Sequence, residues 1–199
     1  MVMSIMASCA NITENEVKLH EYKNLSIEKV GKRNVVVIPK AWELRGKIAI
    51  IKEDENWYAN FFWSKQSLKK GEEQRRLVFT GPFGETHMAL SQIKQAELEL
   101  NRLAVDGEIY TDFSLNQLLV QQFGFEVPVM SLEYWIFGQI NPDKEFQVSQ
   151  VSESGQLLEI AQHGWKINYS YPSPTSYFPV KVYAQKQDYK IKVFIRKRS

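Results

Sequence analysis

The side chains most often used for catalysis are few in this chain and badly spaced for it. His20, His87 and His163 are scattered over the sequence. None stands at metal-ligand spacing from another His or from Cys9, so no metal centre is indicated. His87 falls on the polar side of its segment, where a plain surface role accounts for it. The acidic pairs Asp54–Glu55 and Glu72–Glu73 sit in turn-like stretches and read as loop charges rather than as an acid–base pair. No Walker-type phosphate loop is present, which argues against nucleotide hydrolysis as a power source. Arg196–Lys197–Arg198 is a basic run near the end of the chain, the usual composition of a solvated tail. A net charge of +2 implies no general attraction to nucleic acid. The chain therefore reads as a non-enzyme without cofactor or metal.

Two residues stand out for another kind of chemistry. Thr80 is followed by Gly81–Pro82–Phe83–Gly84, with Pro at the second and Gly at the fourth position of a tight turn. That places Phe83 at a loop tip, where polar residues are the rule. An aromatic there either folds back onto its strand or meets something apolar outside the protein. The second residue is Cys9, the single cysteine, so no intrachain disulfide can form. Met6–Ala7–Ser8–Cys9 is similar to the end of a bacterial lipoprotein signal, where small residues precede a cysteine that is acylated. The stretch before it has no basic n-region and is shorter than a signal core of roughly 7–15 residues. It reads as the tail of a signal whose front is missing, or else as a remnant carrying a free thiol.

The elements that must position these residues follow from periodicity. The chain has 199 residues, 44% of them apolar and 24% charged, which suits one ordered domain. Aromatic residues make up 13%, a share that fits a β core or the wall of an apolar cavity. No run approaches the ~18 apolar residues of a membrane span. Asn11 to Val30 predicts a polar helix starting near Thr13 with Glu16 completing a capping box. From Trp42 the period is two: Trp42, Leu44, Ile48 and Ile50, then Trp57, Ala59, Phe61 and Trp63, then Leu77 and Phe79, Met88 and Leu90, Leu98 and Leu100. Asp106–Gly107 predicts a tight hairpin. Two helices interrupt the strands. One runs from Ser114 as cap to Gly124, with Leu115, Leu118, Leu119 and Phe123 on one face. The other is capped by Ser131, covers Leu132 to Phe137 and closes at Gly138. It is apolar on nearly every side and must be covered. Strands resume with Phe146 and Val148, Leu158 and Ile160, Trp165 to Tyr171, Phe178 to Ala184, and Tyr189 to Ile195.

Ten or eleven amphipathic strands in one domain curl into a barrel or a strongly bent sheet. A barrel of that size can be too wide to fill with its own side chains and can hold an apolar ligand. The strand residues expected to line it are Trp42, Leu44, Ile48, Trp57, Phe61, Trp63, Leu90, Leu100, Ile167, Tyr169, Val182, Ile191 and Val193, with Leu118, Trp135 and Phe137 from the helices. Core packing accounts for any one of them; only the set points to a cavity.

These residues also carry a family likeness. Trp57–Trp63, Thr80–Gly84, Asp106–Gly107 with Tyr110, and Ser131–Gly138 resemble the corresponding blocks of LolB, the outer-membrane lipoprotein receptor family of Gram-negative bacteria. Their order and spacing agree from about Trp42 onward, roughly four fifths of the chain; Asn11 to Pro39 matches poorly. The resemblance implies a mainly β fold: an open, incomplete antiparallel β-barrel of about 11 strands, with a few helices plugging its mouth over an apolar cavity. It divides the chain into a residual signal segment (1–9), an N-terminal helix and lead-in (10–40) and the barrel (41–199). It implies acyl chains on Cys9 and anchoring at the periplasmic face of the outer membrane, since Ala10 is not the Asp that retains lipoproteins in the inner membrane. The implied partners are a LolA-type periplasmic carrier, outer-membrane lipoproteins and the inner leaflet of that membrane, engaged by a monomer. Phe83 falls where the family has an exposed hydrophobic loop residue, often Leu, needed for insertion. Two other readings stay open: a soluble LolA-type carrier, and a lipocalin-like binder of a small apolar ligand.

Overall fold

The computed structural model describes residues 38–199, apart from positions 54, 69, 70, 96, 97, 113, 125 and 126. Cys9 and the helix expected over Asn11 to Val30 lie outside the described residues.

The period-two segments form eleven strands: β1 (Trp42–Lys52), β2 (Glu55–Ser67), β3 (Glu73–Thr80), β4 (Thr86–Gln95), β5 (Leu98–Val105), β6 (Glu108–Asp112), β7 (Phe146–Val151), β8 (Leu157–Gln162), β9 (Trp165–Ser170), β10 (Lys181–Lys186) and β11 (Tyr189–Arg198). Two helices, α1 (Leu115–Phe123) and α2 (Val129–Trp135), lie between β6 and β7. All strands join one antiparallel sheet in the order β6-β5-β4-β3-β2-β1-β11-β10-β9-β8-β7. Two meanders therefore meet where the first strand pairs with the last. Among the described residues β6 and β7 are the edges and do not pair with each other, so the sheet is unclosed.

One sheet face is apolar. Leu44, Ile48, Phe61, Trp63, Ile167, Val182, Ile191 and Val193 are buried in a single cluster with Leu118, Leu119, Leu132, Trp135 and Phe137 from the helical segment. The helices thus cover the inner face. α1 forms as its caps dictate: Gln117 N donates to Ser114 Oγ at 3.3 Å, and Gly124 closes it with φ +70°.

β1 shifts register against β11 between Arg45 and Gly46. A Cβ on Gly46 would stand 2.0 Å from the carbonyl oxygen of Phe194 and 2.8 Å from Phe61 Cε1. A backbone oxygen held in a ladder cannot swing aside as a flexible side chain can. Gly46→Ala is therefore expected to lower stability by about 2–3 kcal/mol. The check is a fall in the urea midpoint at unchanged slope.

Two expectations are corrected here. Ser131 does not cap α2. The helix starts at Val129, three residues before the expected Leu132, after Pro128, whose carbonyl accepts from Leu132 N at 2.7 Å. Ser131 is buried within it, its Oγ accepting from Asn141 Nδ2 at 3.1 Å. Leu100 does not face the interior either. It is 41% exposed, while Asn101, Leu103 and Val105 point inward. The register decides this: Leu103 pairs with Leu90 and Val105 with Met88, which buries two large side chains from each strand. A slip of one residue would turn all of them outward.

Candidate functional site

The loop between β3 and β4 is braced by its own polar groups. Gly84 N donates to Gly81 O at 3.2 Å, and Gly81 N donates to Glu85 O at 2.9 Å. Phe83 N donates to the Glu85 carboxylate at 3.1 Å, and Asn60 Nδ2 reaches Gly81 O at 3.2 Å. Gly84 takes φ +88°, a conformation other residues adopt only with strain. With the backbone tied down, the Phe83 ring stands away from its strands and is 97% exposed. His87 lies beside the loop, its Nε2 3.4 Å from Glu85.

The opposite end of the inner face is polar. Lys65, Arg75, Gln92 and Asn101 sit side by side on β2, β3, β4 and β5, each opposite the next in the ladder. Gln92 Nε2 donates to Asn101 Oδ1 at 2.8 Å, and Arg75 Nη1 donates to Gln92 Oε1 at 3.2 Å. Glu133 from α2, only 4% exposed, closes the row. Its carboxylate accepts from Arg75 Nε at 2.7 Å and stands 3.6 Å from Lys65 Nζ. The strand positions continue the inward period of Trp63, Leu77 and Leu90, so their direction was legible in the sequence. Their partner Glu133 was hidden in a helix that reads as apolar.

α2 has further polar anchors. Trp135 Nε1 donates to Gln162 Oε1 at 2.8 Å, and Gln162 Nε2 donates to Asn141 O at 2.8 Å. Just past the helix, Arg198 Nη2 donates to Ile136 O at 2.9 Å. The guanidinium lies 4.7 Å from the Phe137 ring centre and 4.2 Å from that of Phe178. Burial lowers its pKa to about 10, so it stays charged at neutral pH. α1 is held differently: Leu115, Leu118 and Leu119 give it buried apolar contact with the core.

Between helices and sheet lies a gap of about 20 Å³; the described residues that line it are all apolar, among them Ile48, Phe61, Trp63, Leu90, Leu119, Val129 and Leu132. The expected wall residues meet around this interior. Trp42, Leu44, Ile48, Phe61, Trp63, Leu90, Leu118, Trp135, Phe137, Ile167, Tyr169, Val182, Ile191 and Val193 are buried, and Trp57 is partly buried against them. Leu100 is the one that falls on the outer face. The interior is thus apolar and nearly filled. A ligand site generally offers roughly 300–1,000 Å³, so an acyl chain enters only if a covering element moves. Two buried donors beside Phe137, Trp42 Nε1 and Arg198 Nη1, have no hydrogen-bond partner among the described residues. Among the described residues, no group of His, Cys, Asp and Glu could hold a metal ion, and no helix is long and apolar enough to cross a membrane.

The family description "Outer membrane lipoprotein LolB" matches residues 40–197. Among the described residues, that span takes in ten strands whole, β11 up to Lys197, the helices α1 and α2 and the Phe83 loop.

The chain belongs to the LolB family.

Family members are lipoprotein localisation factors rather than enzymes. Among relatives, the outer-membrane lipoprotein LolB of Pseudoalteromonas translucida is 31% identical over 156 residues, 76% of this chain and 72% of that protein. The LolB of Shewanella denitrificans is 31% identical over 134 residues, 65% of this chain and 61% of that protein. Against the latter, then, the matched stretch spans about three fifths of the relative's length. A DUF1329 family protein from Desulfovibrio piger superposes with a TM-score of 0.56 at 7% identity, over 89% of this chain and 92% of that one. That likeness concerns the fold alone. LolB membership and the eleven-stranded unclosed sheet agree with the fold class expected from the sequence.

Proposed function

We propose that this LolB-family chain receives lipoproteins from a LolA-type periplasmic carrier, shelters their acyl chains against the inner face of the sheet, and releases them into the inner leaflet of the outer membrane. In this reading Cys9 carries the acyl chains that anchor the protein at the periplasmic face. The observation that carries the proposal is Phe83, an aromatic ring almost fully in water on a loop stiffened by its own hydrogen bonds.

Energetics support a route by way of α1. An acyl chain of ~16 carbons gains on the order of 10 kcal/mol when covered, at about 0.8 kcal/mol per methylene. Displacing α1 exposes Leu115, Leu118 and Leu119, at about 1.5–3 kcal/mol each. A chain that takes their place can offset that cost. α2 is the poorer candidate for movement, because opening it would strip Glu133 from Arg75 and Trp135 from Gln162. The unpartnered donors Trp42 Nε1 and Arg198 Nη1 would meet the ester oxygens of an entering lipid. Transfer without nucleotide runs downhill, from carrier to receptor to bilayer. A lipocalin-like site is less well supported, since such pockets are usually pre-formed and the gap here is about 20 Å³.

The test is a reconstituted transfer. Carrier loaded with a labelled lipoprotein is mixed with this protein, then with liposomes. The label is expected to pass to the protein and on to the lipid. A label that stays on the carrier would end the receptor reading.

A further inference from the structure

The outer face of the sheet carries a hollow of about 480 Å³, far larger than the gap inside. It crosses β2, β1, β11, β10 and β9, and its size falls in the range of ligand sites, roughly 300–1,000 Å³. The ladder interleaves cations with rings. Lys192 stands between Ala49 and Tyr183, and Phe194 stands between Lys47 and Lys181. Lys192 Nζ is 5.8 Å from the Tyr183 ring centre, and Lys181 Nζ is 6.0 Å from that of Phe194. Among the described residues, no carboxylate lines the hollow. The acid on the neighbouring strand, Glu159, is already engaged by Lys166 at 3.0 Å and Asn168 at 2.8 Å. At one side the lining includes Tyr58 and Pro82. Pro82 belongs to the loop that carries Phe83, so the hollow opens at the foot of the exposed aromatic.

We propose that this outer groove docks an anionic phospholipid of the bilayer. The headgroup phosphate sits on Lys47, Lys181 and Lys192, and the upper part of an acyl chain lies on Tyr58 and Phe194. The inference rests on the membrane contact assigned to Phe83 above. A bilayer lipid fits better than an acidic protein segment for two reasons. The hollow joins positive charge to an apolar, aromatic floor, which matches an amphiphile rather than a carboxylate-rich surface. It is also continuous with the loop that meets the membrane. A basic residue near an anionic bilayer surface contributes about fivefold in affinity. With rings at headgroup level, three such residues would hold the sheet at a set angle to the leaflet.

The experiment measures co-flotation of the purified protein with two kinds of vesicle, phosphatidylcholine alone and phosphatidylcholine mixed with phosphatidylglycerol. The parent is expected to prefer the anionic vesicles. The exposed-lysine variant Lys47→Gln/Lys181→Gln/Lys192→Gln is expected to lose at least about tenfold on anionic vesicles and to bind neutral ones as the parent does. Its melting temperature checks that it folds. A control, Lys94→Gln/Arg102→Gln/Lys144→Gln, removes the same charge elsewhere and is expected to change binding less than about twofold. Equal losses in both variants would reduce the effect to general electrostatics and overturn the groove. So would a groove variant that floats like the parent, including one that instead loses a protein partner. Failure of the two readings is distinguishable. If Phe83→Glu delivers lipoprotein normally while the groove variant loses anionic vesicles, the loop reading falls and the groove stands.

Discussion

Phe83→Glu is expected to take up lipoprotein from the carrier at the parent rate and to deliver it to liposomes at least about tenfold more slowly. The ring at position 83 touches little of its own protein, being 97% exposed, so its removal costs the fold almost nothing. Its contribution appears only when an apolar phase is within reach. Burying one Phe yields ~2–3 kcal/mol, enough to bias orientation and disturb lipid packing but not to anchor the protein. A carboxylate at the same tip removes that gain and adds the cost of taking a charge out of water. Phe83→Leu should behave like the parent, because a branched aliphatic side chain enters a bilayer nearly as well. The measurement is single-turnover transfer of labelled lipoprotein, with acceptance and delivery followed separately. Delivery by Phe83→Glu at the parent rate would remove the loop from the mechanism. A loss confined to acceptance would place Phe83 at the carrier instead.

The second large effect concerns the buried acid of α2. Glu133→Ala is expected to lower unfolding stability by about 3 kcal/mol, since breaking a buried ion pair leaves its partner charged without compensation. Here the partners are Arg75, at 2.7 Å, and Lys65, at 3.6 Å. Both are mostly covered and cannot turn fully into water, though Glu73 at 3.3–3.4 Å relieves part of the strain. For a chain of this size the melting temperature should fall by roughly 6–12 °C. Two further variants separate the ion pair from helix packing. Glu133→Leu alone should be as unstable as Glu133→Ala. Glu133→Leu with Arg75→Met should recover much of the loss, because removing both charges avoids the desolvation cost. A double-mutant cycle between positions 75 and 133 that yields no coupling would show that the row of polar residues does not hold α2 to the sheet.

Amino-acid order by itself determined the parts whose causes are local. Trp57–Trp63, Trp165–Tyr169 and Tyr189–Ile195 alternate cleanly and fold as strands β2, β9 and β11. Ser114 and Gly124 bracket α1 because a hydroxyl cap and a left-handed glycine act within one turn of the chain. Gly81–Pro82–Phe83–Gly84 makes its turn largely from its own backbone, so the place of Phe83 at a loop tip could be expected from four letters, whereas its ring standing out in water, 97% exposed, could not. What only the tertiary structure decided involves partners far apart in sequence. The closing pair β1–β11, the register that turns Leu100 outward, and the acid that α2 buries against Arg75 depend on which faces meet across the sheet. Periodicity marks two faces of a strand but is silent on its neighbour and on which face wins when both carry leucine. That choice falls to the summed burial of side chains such as Met88, Leu90, Leu103 and Val105, a quantity no single segment contains. The same holds for the two hollows. The inner one is nearly filled because the helices lie on it, and the outer one is lined by residues of five strands that the pairing brings side by side, Lys47, Lys181 and Lys192 among them.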